Sequence, residues 1–418
     1  MNEATLHYIH LHAEDDVRQL ALRGSKEPDV DLPLALQQIA GRQTARRKLP
    51  SWADKADLLY PSHLALEQCS SEQTAKYKQS VCRTLLASLN LAAEGSIHGK
   101  PPATASLVDL TGGFGIDFSF LAPLFSSATY VEQQDALCRL AEHNFKLLNI
   151  QAEVVCSDGV QFLHHLSHAT LLFLDPARRN SSGGRTYAIS DCTPDVLSLH
   201  DELLEKADFV MLKLSPMLDW RKTVSDLGQS YVREIHIVAT GNECKELLVV
   251  LSKKKTSEDF RLVCLNDNEF FEIDSPLTTA STTPLSGELT KGLYLYEPNA
   301  AIMKGGCFSK LAQQFKVSQI APNSHLFVSR GPHLGFPGRK FRISDISSMN
   351  KKELKEKVLP LKQANITIRN FPLSVAELRK RLKLNDGGDT YLFATTLSNG
   401  DKILLICEKL NIINSNEV

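Results

Sequence analysis

The sequence predicts an α/β protein in which a doubly wound, Rossmann-like sheet follows an N-terminal helical region and precedes small α+β modules. Three patterns lead to this prediction. Residues 1–100 show mainly helical periodicity, and residues 105–265 alternate short apolar runs with helical stretches. Continuous apolar strands separated by helices are typical of a parallel sheet that is covered on both faces. After residue 270, proline and glycine become frequent, and short strands and helices mix.

The N-terminal helical region is predicted to hold two groups of helices. The basic segment 46–50 is expected to be a loop that ends the first group. The second group begins near Ser70, which can cap a helix, and Gln73 three residues later can complete a capping box. The helix that follows has an apolar face at i, i+4 spacing, formed by Tyr77, Val81, Leu85 and Leu89. Glycine and proline within 95–102 mark a linker.

The α/β region contains strand candidates that are short and strongly apolar. They are residues 107–110, 130–131, 153–156, 171–174, 209–212 and 235–238. Helices are predicted for residues 118–124 and 136–148, and the second of these carries a clear apolar stripe. This alternation predicts one doubly wound domain.

The C-terminal third is predicted to form small α+β modules. Its strand candidates are residues 292–295, 365–368, 390–395 and 402–407. Helices are expected at residues 308–315 and 374–382. The dipeptide Asn399-Gly400 lies between two apolar runs, which is a strong signal for a β-hairpin.

The composition excludes several classes of protein. The 418 residues are 43% hydrophobic and 23% charged, which is typical of a globular chain with real cores. No apolar run approaches the roughly 20 residues that a membrane span needs, so no membrane association is expected. The first residues lack the basic and apolar regions of a signal peptide. The nine cysteines are scattered without a C-x-x-C pair, which indicates reduced thiols and a cytoplasmic location.

Charge is distributed unevenly along the chain. Residues 301–418 hold 19 Lys and Arg against 9 Asp and Glu, a net charge of +10, while the rest of the chain carries -11. A basic tail on an acidic body suggests a polyanionic partner, most simply nucleic acid. A solvated, lysine-rich surface explains the same charges, so the charge pattern alone leaves both interpretations open.

A glycine-rich turn is the sharpest local motif. Asp109, Thr111, Gly112, Gly113 and Gly115 lie between a predicted strand and a predicted helix, where the backbone can approach a ligand closely. The third glycine of a dinucleotide fingerprint is missing. Asp117 follows, and two flanking carboxylates would repel pyrophosphate but suit a cationic amino-acid group.

Three further acids follow successive strands. Glu132 is placed to accept ribose hydroxyls, and Asp158 to meet an adenine amine. Asp175 and Pro176 end the next strand, where a methyl acceptor would meet the cofactor. Each acid alone is as easily a turn residue or a solvated charge. Together they predict a ligand made of a nucleoside and an amino acid, which is S-adenosylmethionine (SAM).

The ordered series resembles the motifs of class I SAM-dependent methyltransferases. Further segments extend the resemblance to one bacterial family of these enzymes, and it covers residues 48–410. The segments are 66–78, 175–179, 213–219, 243–246, 296–300, 369–372 and 387–389. The family combines a Rossmann methyltransferase core with a ferredoxin-like module and a C-terminal THUMP-like domain. The resemblance implies domains at 1–100, 101–270, 271–335 and 336–418, and RNA, tRNA especially, as the partner.

The resemblance also implies that segment 67–78, including Ser70 and Thr74, lies over the cofactor mouth. In the acceptor loop, Asp175 and Pro176 match the pattern of amino methyltransferases, but Arg178 replaces the aromatic residue. An arginine can stack on a base or pair with a phosphate, so methylation of a base nitrogen is plausible. Uridine-C5 chemistry is not expected, because Lys213 and Ser215 stand where those enzymes have a cysteine motif. Lys213 could line the acceptor pocket or be a lysine at a strand end.

The sequence therefore predicts a cytoplasmic SAM-dependent methyltransferase of RNA. The alternatives are a methyltransferase of a small molecule or protein, and a non-catalytic RNA-binding module. Residues 181–187 form a Ser/Gly-rich loop that could close over a substrate. No metal is expected, because the histidine clusters lack nearby Cys or carboxylate ligands. The predicted RNA contacts are Arg339, Lys340, Arg342, Arg369, Arg379, Lys380 and Arg381, with Arg330 and Lys383 beside them.

Overall fold

A computed structural model describes residues 1–25, 27–89, 104–178, 189–253, 259–274 and 287–410, together with 282 and 285. The chain forms two compact units. The first unit contains Met1–Arg233 and Leu248–Glu258, and the second contains Glu234–Leu247 and Asp259–Val418. Within the described residues, no helix is both long and apolar enough to cross a membrane.

The first unit begins with helices, as the sequence predicts. They are α1 (Glu3–Leu11), α2 (Val17–Arg23), α3 (Leu32–Lys48), α4 (Pro50–Ala53), α5 (His63–Gln68) and α6 (Glu72–Ser88). Side chains of Asn2, Asp16, Asp31 and Ser71 cap α1, α2, α3 and α6 by accepting a backbone N–H in the first turn. These caps satisfy donors that have no partner within the helix.

Two local predictions in this region are wrong. Arg46, Arg47 and Lys48 form the last turn of α3 rather than a loop, where their charges favour the negative end of the helix dipole. Ser71, not Ser70, caps α6, because Ser71 Oγ accepts the backbone N–H of Thr74. Ser70 therefore lies outside the helix, and its hydroxyl donates a hydrogen bond to Asp117, as described below.

The α/β part of the first unit has a parallel sheet at its centre. Its strands are β1 (Ser106–Asp109), β2 (Ser127–Glu132), β3 (Glu153–Cys156), β4 (Ala169–Leu174) and β7 (Ala207–Leu214), in the order β3-β2-β1-β4-β7. Every adjacent pair in this order is parallel. The helices that connect or follow these strands are α7 (Ile116–Leu121), α8 (Asp135–Leu147), α9 (Gly159–His165), α10 (Val196–Glu205) and α11 (Trp220–Asp226). The predicted Rossmann-like α/β fold is confirmed.

The sheet is apolar because it is covered on both faces. All six residues of β4 are buried, and so are most of those of β7. Phe118, Tyr130 and Phe145 pack against one another on one face, with ring centroids 5.1–5.5 Å apart. Two short strands that the sequence did not suggest, β5 (Ala177–Arg178) and β6 (Cys192–Thr193), pair outside this sheet.

The boundary between the units falls within strands β8 (Val232–Thr240) and β9 (Glu243–Leu251). In the second unit, β8 pairs in parallel with β10 (Arg261–Asn266), which pairs antiparallel with β11 (Glu269–Asp274). A separate seven-stranded sheet follows. Its strands are β12 (Tyr294–Pro298), β13 (Ser318–Gln319), β14 (Phe327–Ser329), β15 (Gly338–Ser348), β16 (Asn365–Arg369), β17 (Thr390–Thr396) and β18 (Lys402–Lys409).

The order in the seven-stranded sheet is β13-β14-β12-β15-β18-β17-β16. The predicted hairpin is present, because β17 and β18 pair antiparallel around Asn399 and Gly400. The helices of this unit are α12 (Ala300–Gly305), α13 (Phe308–Phe315), α14 (Lys351–Glu353) and α15 (Val375–Leu382). Ser374 and Glu377 form a reciprocal capping box at the start of α15.

Gly338, at the start of β15, supports a prediction about stability. Its φ is +139°, and a Cβ there would lie 2.2 Å from the Glu297 carbonyl oxygen and 2.8 Å from the Asn299 nitrogen. These are backbone atoms of β12 and of the residue that follows it, so they cannot move aside without distorting the pairing of β12 with β15. We expect Gly338→Ala to lower the free energy of unfolding by about 2–4 kcal/mol, measured by urea unfolding.

Gly331→Ala is the matched control. A Cβ at Gly331 has no neighbour within 4 Å, and its φ is not positive. Its free energy of unfolding should stay within roughly 0.5 kcal/mol of the unsubstituted protein. Equal stabilities for the two variants would contradict the close approach at Gly338.

Candidate active site

The glycine-rich turn joins β1 to α7 and lies against the second strand of the sheet. A Cβ on Gly112 would lie 2.3 Å from the Tyr130 ring, so only glycine fits there. The Gly112 N–H donates to the Val131 carbonyl oxygen, at 2.9 Å. The backbone of the turn is therefore held in contact with β2.

Phe114 anchors the same turn to the N-terminal helices. Its ring centroid is 5.1 Å from that of Trp52 in an edge-on contact and 6.3 Å from that of Tyr60. All three rings are buried in one cluster. The N-terminal helices thus help to shape the glycine-rich turn.

Glu132 ends β2 and holds the backbone around the turn. Its Oε2 accepts the N–H of Gly113 at 2.9 Å, and its Oε1 accepts the N–H of Gln134 at 2.8 Å. An ionised carboxylate offers about four acceptor positions, so two hydrogen bonds leave capacity for ribose hydroxyls. Glu132 is the last residue of its strand, as the sequence predicted, and its contact with a ribose stays a prediction.

Asp109 is a buried acid at the end of β1. Its side chain accepts the N–H of Thr111 at 2.9 Å, and the residue is only 2% exposed. Burial above all, together with the nearby charges of Asp117 and Asp175, raises the pKa of Asp109 to about 8 despite the lowering effect of the Thr111 hydrogen bonds. A cationic ligand beside this carboxyl would favour its ionised form.

Asp117, in the first turn of α7, lies among groups from three parts of the chain. Ser70 Oγ donates to its Oδ2 at 2.7 Å, and Lys78 Nζ lies 3.2 Å from its Oδ1. Lys213 Nζ, from β7, lies 4.0 Å from Oδ2. Lys78 is fully buried. Asp117 is therefore already compensated by lysine, whereas Asp109 has no such cation among its described contacts.

Asp175 is fixed on two sides. Its backbone N–H donates to Thr111 Oγ1 at 2.6 Å, and its Oδ2 accepts a hydrogen bond from Lys213 Nζ. Thr111 Oγ1 also lies within hydrogen-bond distance of Asp109, at 3.4 Å. The backbone of Arg178 pairs with Cys192 in β6. The predicted closing loop 181–187 lies outside the described residues.

Other predicted contacts have local roles in the structure. Asp158 is exposed and caps α9 by accepting the N–H groups of Val160 and Gln161 at 2.9 and 3.0 Å. Thr74 is buried, and its hydroxyl donates to the carbonyl oxygen of Ser71 at 3.1 Å. The cofactor contacts of both residues stay predictions.

Lys78 is the site residue for which the sequence suggested no role. It lies on the buried face of α6 beside Val81, Cys82 and Leu85. A lysine within an apolar helical stripe is a detectable signal, because a lysine is almost never fully buried without a partner. The apolar face was instead assigned through Tyr77, one residue away.

The second unit divides the predicted RNA contacts into two groups. Glu297, 4% exposed at its side chain, accepts Nε donors from Arg339 and Arg369 at 2.6 and 2.9 Å. Arg379 donates to two backbone carbonyls and pairs with Asp386, and Lys340 is buried near Glu269. The exposed candidates are Arg342, Lys380 and Arg381, together with Arg330 and Lys383.

The site as a whole fits SAM. Asp117 lies near Lys78 and Lys213, and Asp175 pairs with Lys213, so two lysines match these two carboxylates. Asp109, beside them, adds one negative charge in excess when it is ionised. The turn at Gly112 offers backbone close to the ligand, as a nucleoside and amino acid require. The buried carboxyl of Asp109 is suited to the cationic end of such a ligand, while pyrophosphate would meet like charge.

Comparisons with known proteins match the whole chain and its C-terminal modules. A family described as THUMP domain-like matches residues 338–409, and one described as a ferredoxin-like domain matches residues 294–337. The chain is 32% identical to a "putative methyltransferase" of Porphyromonas gingivalis W83 with a TM-score of 0.82, and the match covers 98% of each chain. A SAM-dependent methyltransferase of Agrobacterium tumefaciens is 16% identical over 44% of this chain and 62% of that chain, with a TM-score of 0.30. No curated protein sequence matches.

The raised pKa of Asp109 predicts proton release on ligand binding. With a pKa of about 8, most Asp109 carboxyls hold a proton at pH 7. A cation that binds beside Asp109 must displace this proton. Affinity for SAM should therefore increase as the pH is raised to about 8, and it should decrease as the pH is lowered from that value. Calorimetry at pH 7 in two buffers of different ionisation enthalpy should show release of close to one proton.

Asp109→Asn should remove this proton release and weaken SAM binding. Asp135→Asn is the control, because Asp135 is an exposed acid in the first turn of α8. It should keep both the affinity and the proton release. Unchanged proton release in Asp109→Asn would show that another group titrates.

Proposed function

This chain belongs to the family of class I SAM-dependent methyltransferases that carry a ferredoxin-like module and a THUMP-like domain, and we propose that its methyl acceptor is RNA. The observation that carries the proposal is the basic C-terminal part. It has a net charge of +10 over residues 301–418, and the THUMP domain-like match lies within it. Exposed basic residues on such a part suit a phosphate backbone.

SAM supplies an electrophilic methyl group on a sulfonium centre. The residues that would hold it are Asp109, Glu132 and the backbone of Gly112 and Gly113, with Asp117 fixed behind them. Their role is binding and orientation, because transfer of an activated methyl group needs positioning more than acid–base power.

Asp175 is the proposed acceptor-binding residue. Its side chain is 39% exposed and its Oδ2 is held by Lys213, so Oδ1 can accept a hydrogen bond from an amine. A base nitrogen that gains a methyl group loses a proton, and Asp175 is placed to take it. Pro176, whose ring fixes φ, restricts the backbone of the loop after β4. We therefore propose that the methyl group is transferred to an exocyclic or ring nitrogen of a base in structured RNA. The first substrate to test is tRNA.

We further propose that the exposed basic residues of the second unit bind the phosphate backbone of RNA. Within the part of the chain that the structure describes, no ion pair involves the side chains of Arg342, Lys380 and Arg381, which are exposed and can reach phosphates. Arg339 and Arg369 already share Glu297, so their donors are largely used inside the second unit.

The proposed domain division is 1–100, 101–270, 271–335 and 336–418. The matches at residues 294–337 and 338–409 support a division near residue 336, between the last two of these domains. A cytoplasmic location is also proposed, and the nine cysteines support it, since all are free thiols.

Transfer of labelled methyl groups tests the proposed function. Bulk RNA from a strain that lacks the protein is incubated with labelled SAM and the purified chain, and nucleosides are then separated by mass. We expect label in one methylated nucleoside, and none with Asp175→Asn. Label in protein or small metabolites, with none in RNA, would refute RNA as the acceptor.

Removal of three exposed charges tests whether these residues bind RNA phosphates. Arg342→Gln/Lys380→Gln/Arg381→Gln should weaken RNA binding and reduce the slope of log K against log salt by about 2–3, since each lost phosphate contact removes roughly 0.7–0.9. Affinity for SAM should stay unchanged by calorimetry. The control, Lys55→Gln/Arg83→Gln/Lys146→Gln, removes three exposed charges from the first unit. Equal slopes of log K against log salt for the two variants would contradict the proposed phosphate contacts.

A further inference from the structure

Two lysines and two carboxylates form a continuous chain behind the acceptor loop. Lys78 pairs with Asp117, and Lys213 lies between Asp117 and Asp175. Lys78 comes from α6 of the N-terminal helices, Asp117 from α7, Lys213 from β7 and Asp175 from the end of β4. The order Lys78–Asp117–Lys213–Asp175 alternates in charge.

The two carboxylates differ in their need for a cation. The Asp117 side chain is 9% exposed, whereas that of Asp175 is 39% exposed. Water can solvate Asp175 in part, but it cannot do so for Asp117. A buried carboxylate that loses its counter-charge is strongly unfavourable, whereas a partly exposed one tolerates the loss.

We propose that Lys78 is a positioning residue for the acceptor carboxylate, because it compensates Asp117 and so leaves Lys213 available to Asp175. The inference rests on the proposed role of Asp175 in binding the acceptor. Lys213 Nζ is 4.0 Å from Asp117 Oδ2, so a small change of its side-chain torsions is enough to move it from one carboxylate to the other. Without Lys78, Lys213 is drawn to the more buried acid, and Asp175 loses the contact that orients its Oδ2.

Ser70 contributes in the same direction. Its hydroxyl donates to Asp117 Oδ2, the oxygen that Lys213 approaches. This hydrogen bond occupies a lone pair that Lys213 would otherwise use. Segment 67–78, which the family resemblance places over the cofactor mouth, thus affects the acceptor loop through Asp117.

Crystal structures provide the test that needs no acceptor. In Lys78→Met, we expect Lys213 Nζ within hydrogen-bond distance of Asp117 and no longer at Asp175. In Lys78→Met/Asp117→Asn, the buried charge is gone and Lys213 should return to Asp175. If Lys78→Met does not fold, Lys78→Gln removes the charge while keeping a polar group near Asp117. Lys213 still at Asp175 in the single variant would overturn the proposal.

The kinetics of RNA methylation provide the second test. At saturating SAM and RNA, Lys78→Met should lower kcat by at least about tenfold, with the Kd for SAM changed less than about threefold. Lys78→Met/Asp117→Asn should regain the kcat of Asp117→Asn alone. Arg83→Met, which removes an exposed charge from the same helix, is the control and should leave kcat unchanged.

The two tests separate the possible failures. Equal loss of kcat in Lys78→Met and in the double variant would mean that Lys78 is only structural, and would overturn the inference. Absence of RNA methylation by the unsubstituted protein would refute the proposed function instead. The position of Lys213 in the crystal structures would still decide whether Lys78 controls it.

Discussion

The buried carboxylate of Asp117 is the constraint on which the site depends. It cannot be solvated by water, so the protein supplies Ser70, Lys78 and Lys213 around it. These groups come from the N-terminal helices and from the sheet. Satisfying one acid therefore requires that the helices, the glycine-rich turn and β7 come together, and this requirement brings Lys213 to Asp175.

The N-terminal helices are part of the catalytic unit rather than an appendage to it. Phe114 places the tip of the glycine-rich turn in their aromatic cluster, and Lys78 carries a charge into the sheet's carboxyl edge. Apolar packing and a buried ion pair thus act on the same turn from two sides. A turn whose backbone is fixed by packing has less conformational entropy to lose when a ligand binds.

Local patterns were sufficient for most of the fold. Residues 153–156 and 308–315 coincide with β3 and α13, because an apolar strand or an amphipathic helix is encoded by neighbours in sequence. The short pair β5 and β6 escaped prediction, since two-residue strands carry no periodicity. The sequence does not distinguish Ser70 from Ser71 as the helix cap, because the two are chemically alike, and only the hydrogen bond from Thr74 N–H to Ser71 Oγ identifies the cap.

The sequence by itself determined the parallel sheet, the glycine-rich turn and the acids that follow successive strands, because strand ends in a parallel sheet meet at one edge. Only the tertiary structure decided which charged residues pair with one another. Arg339 and Arg369 are basic in sequence exactly as Arg342 is, yet Glu297 holds the first two inside the second unit. Lys78 likewise reads as one more lysine until the fold buries it against Asp117. Charge pairing depends on distance and burial, and residues far apart in the chain acquire both only when the chain folds.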